Sequence, residues 1–180
     1  VFRAVNRLDR DTSGLVLLAK NPYSSCVLSD AVKDHTIHRE YAAIVSGKTD
    51  ASGTIDLPIA RKDGSTIERV CDPERGETAV THYRTFAYNK DADISFIRLL
   101  LETGRTHQIR VHMKAIGHPL PGDFLYCPDY RFIDRQPLHS TYLRFSHPVT
   151  GEKLEFSASL PEDMRKLFPD IKNPSGPVFF

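Results

Sequence analysis

The segment Asn6-Arg7-Leu8-Asp9-Arg10-Asp11-Thr12-Ser13-Gly14 gathers ionisable and hydroxyl side chains immediately ahead of an aliphatic run. Polar groups at the mouth of a core strand sit on a rigid frame, a common way to hold reactive chemistry in place. Asp9 lies between Arg7 and Arg10. Neighbouring cations favour a carboxylate, which could serve as nucleophile or base. Residue types alone leave a plainer account open, a solvated turn with surface ion pairs. A second cluster, Gly104-Arg105-Thr106-His107-Gln108-Ile109-Arg110-Val111-His112, places cationic groups at and near the start of a helical pattern. Free backbone N–H groups and the helix dipole attract an anion there, with a phosphate the natural candidate. A basic, solvated helix face explains the same spacing.

Between Thr103 and Gly122 there is no carboxylate, while Arg105, His107, Arg110, His112, Lys114 and His118 all fall there. A local positive surface is therefore expected in a chain whose net charge is only +1. The histidines do not share a helical face, and neither HExxH nor CxxC spacing occurs, so no metal is expected. A glycine-rich phosphate loop is also missing, which argues against a nucleotide cofactor. Three cysteines, Cys26, Cys71 and Cys127, are an odd number without metal-type pairing and suggest reduced thiols in a cytoplasmic protein. No export signal opens the sequence, and its longest aliphatic run is far shorter than a bilayer span. The first residue is Val1 and the first motif follows almost at once, so a domain truncated at its N-terminus is expected.

The elements that must position these groups follow from periodicity. The 180 residues suit one domain, residues 1–168, with a loosely held tail at 169–180. Residues 14–20 read as a strand buried on both faces. Asn21 and Pro22 read as N-cap and first residue of a helix whose apolar face is Tyr23, Cys26, Val27 and Ala31. Strands are expected at 39–45, 54–59, 78–88 and 94–102, the first with Tyr41, Ala43 and Val45 on one face. Residues 61–76 read as a loop or irregular hairpin. From 106 to 116 the period becomes helical, with Ile109, Met113 and Ile116 facing the core. His107, Arg110 and Lys114 fall on a separate, polar face, and Gly117 ends the helix. A hairpin at 138–146 and 152–159 and a short helix after Pro161 complete the chain. The expectation is an α+β domain with a largely antiparallel, mixed sheet and a few flanking helices.

Four of these stretches, in order, resemble a known family. Arg7-Leu8-Asp9-Arg10-Asp11-Thr12-Ser13-Gly14 with Leu15-Val16-Leu17-Leu18-Ala19-Lys20 closely resembles the signature of the RluA-type pseudouridine synthases. Arg39-Glu40-Tyr41-Ala42-Ala43-Ile44-Val45-Ser46-Gly47 resembles that family's second motif. Residues 104–112 and Gly117-His118-Pro119-Leu120-Pro121-Gly122-Asp123 resemble its third, and Leu138-His139-Ser140 and His147-Pro148 match weaker features.

The resemblance implies a cofactor-free RNA isomerase that converts uridine to pseudouridine in structured RNA, with ribosomal RNA favoured over transfer RNA. It implies a monomer with no membrane partner. Asp9 would be the catalytic aspartate. Tyr41 would stack on the uracil and take the proton from C5, and Arg110 would pair with Asp9. Arg7 would support the site or enter the space left by a flipped base. Arg10, Arg105 and Lys114 would contact RNA or support the site, with His107 and Gln108 bracing the arginine helix. Asn6 stands where histidine is commoner, and Arg39 replaces a frequent lysine. Neither departure is expected to touch Asp9, Tyr41 or Arg110. The alternatives are a catalytically silent RNA-binding paralogue and a hydrolase built on Asp9 and Asp11. Strand alternation would point those two carboxylates to opposite faces.

Overall fold

The computed structural model describes residues 2–171 and 176–179. Its elements in chain order are β1 (Arg3–Ala4), β2 (Ser13–Gly14), β3 (Leu18–Ala19), α1 (Pro22–Lys33), β4 (His38–Ser46), β5 (Ser52–Asp56), β6 (Ile59–Arg61), β7 (Arg69–Cys71), β8 (Val80–Asn89), β9 (Ile94–Leu101), α2 (Gln108–Ala115), β10 (Leu138–Ser146), β11 (Lys153–Ser157) and α3 (Glu162–Leu167). The main sheet runs β11-β10-β4-β9-β8-β5 with antiparallel neighbours, and β2 pairs parallel to β10 beside β11. It is the expected mixed, mostly antiparallel α+β sheet.

β4 lies inside this sheet and is apolar on both faces. Tyr41, Ala43 and Val45 pack with Ile97, Leu99, Ile109, Met113 and Leu138, so α2 covers this face. Ala42 and Ile44 pack on the other side with Phe96, Met164 and Phe168, beneath α3. Each large side chain so buried contributes roughly 1.5–3 kcal/mol, and together they make the sheet a stiff support for Tyr41. Gly117, at φ 86°, stops α2 as expected. β6 and β7 pair as a short hairpin that starts at Ile59, two residues ahead of the loop or irregular hairpin expected at 61–76.

Three local expectations change. Residues 14–20 are not a strand buried on both faces. Only Ser13–Gly14 and Leu18–Ala19 are extended and paired, and Leu15, Leu17 and Ala19 face the core while Val16 and Leu18 are exposed. A two-stranded β1–β3 ribbon packs one side on α1 and leaves the other uncovered, and four aliphatics in a row cannot distinguish the two cases. In α1 the Asn21 cap forms as expected, its Oδ1 accepting from Ser24 N at 2.8 Å. The inward face, however, is Ser24, Leu28, Ala31 and Val32, while Tyr23 and Cys26 are exposed. The expected positive surface over 103–122 is also smaller than the sequence suggests. Arg110 and His112 are buried, His112 Nε2 donating to Leu57 O (2.9 Å) while Nδ1 lies 2.9 Å from Thr81 Oγ1. Burial lowers the His112 pKa, with the Leu57 carbonyl opposing, so this ring is held neutral.

Of the tail at 169–180, residues 172–175 and 180 lie outside the described residues. The backbone N–H groups of Val178 and Phe179 donate to the Glu40 carboxylate, which also pairs with Arg98 at 2.7 Å. Among the described residues, no helix is long and apolar enough to cross a membrane.

Gly14 has φ +112°, and a Cβ built on it would meet the Ser140 backbone. Gly14→Ala should therefore lower unfolding stability by about 2 kcal/mol or more in urea titration, through backbone strain plus a lost approach of β2 to β10.

Candidate active site

Asp9 sits in a turn closed by Thr12 N donating to Asp9 O at 3.1 Å. The turn passes through Asp11 in the left-handed region, φ 68°, and feeds β2. It projects the Asp9 carboxylate towards the N-terminal half of α2, where Arg110 Nη1 donates to Asp9 Oδ2 at 3.2 Å. The stronger partner of Arg110 is Asp123. Nε and Nη2 donate to its two oxygens at 2.6 and 2.7 Å, a bidentate fork between groups that are 2% and 0% exposed. Burial opposes the arginine's charge, but Asp123, reinforced by Asp9, raises its pKa above the ordinary value. Arg110 is thus charged and oriented by Asp123, and Asp9 accepts from the one nitrogen that Asp123 leaves unused, Nη1. The expected Arg110–Asp9 contact is present, but its bidentate partner is Asp123.

Asp9 and Tyr41 line one cleft with Arg7, Arg39, Arg105, His107 and Gln108, among others. Tyr41 is almost fully buried on β4, and burial pushes its phenol pKa up, Arg39 opposing and Asp9 reinforcing. It therefore remains a phenol at neutral pH. The cleft encloses about 70 Å³ and shares Arg7, Arg39, Gly104 and Arg105 with a wider hollow of about 710 Å³.

The remaining residues divide clearly. Gln108 spends all its bonding capacity on the fold. Its Oε1 accepts from Thr103 Oγ1 and Arg105 N, and its Nε2 donates to Val80 O and Thr81 Oγ1, stapling the turn before α2 to β8. Arg105 donates to Thr78 O at 3.0 Å and pairs with Glu77 at the rim. Arg10 and Lys114 do not line the cleft. Arg10 lies 4.2 Å over the Phe124 ring, and Lys114 5.5 Å over Tyr126. Asp11 turns its carboxylate to Arg10 Nε at 3.1 Å, away from Asp9's contact with Arg110. The two acids belong to a turn and not a strand, so the alternation argument does not apply to them, though the pair they would need for hydrolysis is not assembled.

Proton counting orients His107. Tyr126 Oη accepts from Arg69 N at 2.9 Å and lies 2.9 Å from His107 Nδ1. The phenol hydrogen is satisfied by Nδ1, which assigns the proton of the neutral ring to Nε2. Burial, then the Arg110 charge, lower the His107 pKa and favour that neutral form, with Asp9 opposing.

Sequence reasoning passed over Asp123, Tyr126 and Arg39 as site residues. Asp123 lay within a recognised block, but nothing local marks it as the partner of a residue 13 positions earlier. Arg39 is corrected outright: it shares the cleft with Asp9 and Tyr41 and acts on the Tyr41 phenol. Its β4 position, two residues before Tyr41 and on the same face, was the available signal.

The chain is similar to known proteins along most of its length. The family model described as RNA pseudouridylate synthase matches residues 1–115. A Bacillus subtilis (strain 168) protein named Uncharacterized RNA pseudouridine synthase YjbO is 50% identical over 164 residues, covering 91% of this chain and 57% of its own length. Ribosomal large subunit pseudouridine synthase D of Zymomonas mobilis is 42% identical over 177 residues, covering 91% of this chain and 54% of its own. The chain thus spans about half the length of the curated relatives it matches. Human RNA pseudouridylate synthase domain containing 1 superposes with a TM-score of 0.77 at 28% identity, covering 88% of this chain and 69% of that one.

Two stability measurements test the electrostatics. Asp123→Ala strands a buried guanidinium and should cost about 3–5 kcal/mol, whereas Asp9→Ala, at the partly exposed end, should cost far less; equal losses in urea unfolding would contradict the assignment of Asp123 as the anchor. Burial also pushes Tyr126 up to about 12. An unfolded tyrosine ionises near ~10, so stability should fall as pH rises from there through the folded value, and Tyr126→Phe should flatten that slope. In sequence signature, fold and the company of its relatives, the chain belongs to the RNA pseudouridylate synthase family, with the RluA-type members.

Proposed function

We propose that this chain carries the catalytic centre of an RNA pseudouridine synthase that isomerises a flipped uridine in structured RNA, ribosomal RNA before transfer RNA. The observation that carries the proposal is that Asp9 and Tyr41, from distant stretches, line one cleft, with the buried Arg110 donating to Asp9 from behind it. The ribosomal preference is supported by the printed name of the Zymomonas mobilis relative.

The reaction breaks C1′–N1, turns the uracil in place and joins C1′ to C5. N1 gains a proton and C5 loses one, with no redox change. Asp9 stands beside the sugar, either attacking C1′ or removing the C2′ proton, and both routes use the same ionised carboxylate. Arg110 orients it through a single N–H, leaving its other lone pairs available. Tyr41 offers a flat ring to the base. As a phenol it takes the C5 proton only while passing on its own, so it acts as a relay and not as a standing base. Unstacking the uridine costs a few kcal/mol, offset by contacts to the base and its flanking backbone. The narrow cleft suits the base, and the wider hollow lined by Arg7, Arg39 and Arg105 suits the sugar–phosphate chain.

RNA carrying tritium at uridine C5 tests the proposal. The protein should release the label to water; Asp9→Asn and Asp9→Ala should abolish release, and unchanged release would remove Asp9 from the mechanism. A silent paralogue would bind RNA and release nothing, and a hydrolase would liberate free uracil. Tyr41→Phe should keep RNA affinity but lose most turnover. Arg110→Lys, which cannot hold Asp123 and Asp9 together, should fall by about 100-fold or more in kcat.

A further inference from the structure

The turn bearing Asp9 supplies little of its own rigidity. It has one internal backbone bond, Thr12 N to Asp9 O, and a left-handed aspartate at Asp11 that costs of order 1–3 kcal/mol to maintain. What holds it comes from a segment more than 120 residues away. Gln136 Nε2 donates to Arg10 O at 2.5 Å and to Thr12 Oγ1 at 3.2 Å. Arg135 Nη1 donates to Asp11 O at 3.1 Å. Ser13 Oγ bonds His139 Nδ1 at 2.8 Å, and Leu15 N donates to Ser140 O at 3.1 Å. Successive residues of the turn are therefore gripped by successive residues entering β10.

Arg135 is itself oriented. Asp163, in the first turn of α3, accepts from its Nε at 2.7 Å and its Nη2 at 3.0 Å, leaving Nη1 to cap Asp11 O. Gln136 is fully buried, and its Oε1 has no partner among the described residues. A buried amide kept with half its capacity unused is costly in stability, so its retained half must be valuable where it points, at the Asp9 turn. None of Arg135, Gln136 or Asp163 belongs to the motif blocks that identify the family.

We propose that Arg135 and Gln136 are positioning residues for the catalytic turn, with Asp163 as the strut that aims Arg135. They act through the backbone carbonyls of Arg10 and Asp11 to keep the Asp9 carboxylate against Arg110 and facing the cleft. The proposal rests on the reading of Asp9 as the reacting carboxylate. Misplacing a reacting group by about 1 Å can cost as much as 100-fold in rate, while contacts to RNA elsewhere are unaffected. The effect therefore belongs in kcat and not in KM.

Steady-state tritium release on the RNA substrate, with amide hydrogen exchange, tests this. Arg135→Met and Gln136→Leu should each lower kcat about 10-fold or more, with KM within about twofold of wild type. Arg135→Lys should restore part of the loss, and Asp163→Asn should fall between. Exchange at Thr12 and Leu15 should quicken in the same variants while β4 and β9 stay protected; a purely global loss of stability would speed all of these together. Wild-type kcat in folded Arg135→Met and Gln136→Leu would overturn the proposal, as would raised KM with unchanged kcat, which would make them RNA contacts. If wild-type protein itself released no label, the catalytic reading would fail, and the exchange profile would still decide whether these residues order the turn.

Discussion

A buried guanidinium must be neutralised within the protein or not be buried at all. Arg110 meets that condition through Asp123, which is saturated in turn: its Oδ1 also accepts from Leu125 N and Tyr126 N at 3.0 and 3.2 Å. The Tyr126 ring lies 4.9 Å from the guanidinium centre and closes the remaining side. Because this pair is complete without Asp9, the third contact is free to be longer and single. Asp9 is oriented by a charge that does not depend on it. A carboxylate that had to satisfy the arginine itself would be locked in a fork, with its lone pairs committed. The division of labour between two acids leaves one of them with lone pairs uncommitted, as the proposed role of Asp9 requires.

How much of this was legible in sequence depended on whether the determining contact was local. β4, β8, β9 and β10 each carry an apolar pattern that one strand can display, and their positions followed from it. Asn21-Pro22 and Gly117 are punctuation whose physics is confined to one turn, and the start of α1 and the end of α2 were readable from them. The aliphatic run at 15–19 was not, because its outer side faces no partner in this chain's described residues, a fact about the neighbours and not about the run. Arg110 was misjudged for the same reason. At i, i+3, i+7 with His107 and Lys114 it draws a solvated stripe, and only Asp123, across an intervening loop, turns the middle of the stripe inward. Its contact with Asp9 came from family resemblance, since no periodicity links residues 101 apart.

The same burial changes how the site can attract RNA. With Arg110 and His112 withdrawn, the third motif contributes its charge through the rim and not through a broad basic face. Arg7 and Arg105 flank the opening, Arg105 already balanced in part by Glu77, and Arg39 lies deeper. Charge lining a low-dielectric cleft focuses the field towards its floor. A near-neutral chain can therefore favour a phosphate chain along one path without a broad basic face, as the proposed function requires.

Assembly of the site depends on contacts between distant parts of the chain. Asp9 comes from the opening segment, Tyr41 from the middle of the sheet, Arg110 from α2, and the grip on the Asp9 turn from the entry to β10. β2 joins the sheet only by pairing with β10, and β10 must already lie against β4 for Ser140 to be in place for it. Long-range pairings of this kind carry a loop-closure cost that local contacts do not. No fragment of the chain could present the aspartate, its arginine and the tyrosine in working order on its own. The stiffness that the proposed chemistry would draw on is that of the completed sheet, carried to the Asp9 turn by a handful of hydrogen bonds to carbonyl oxygens.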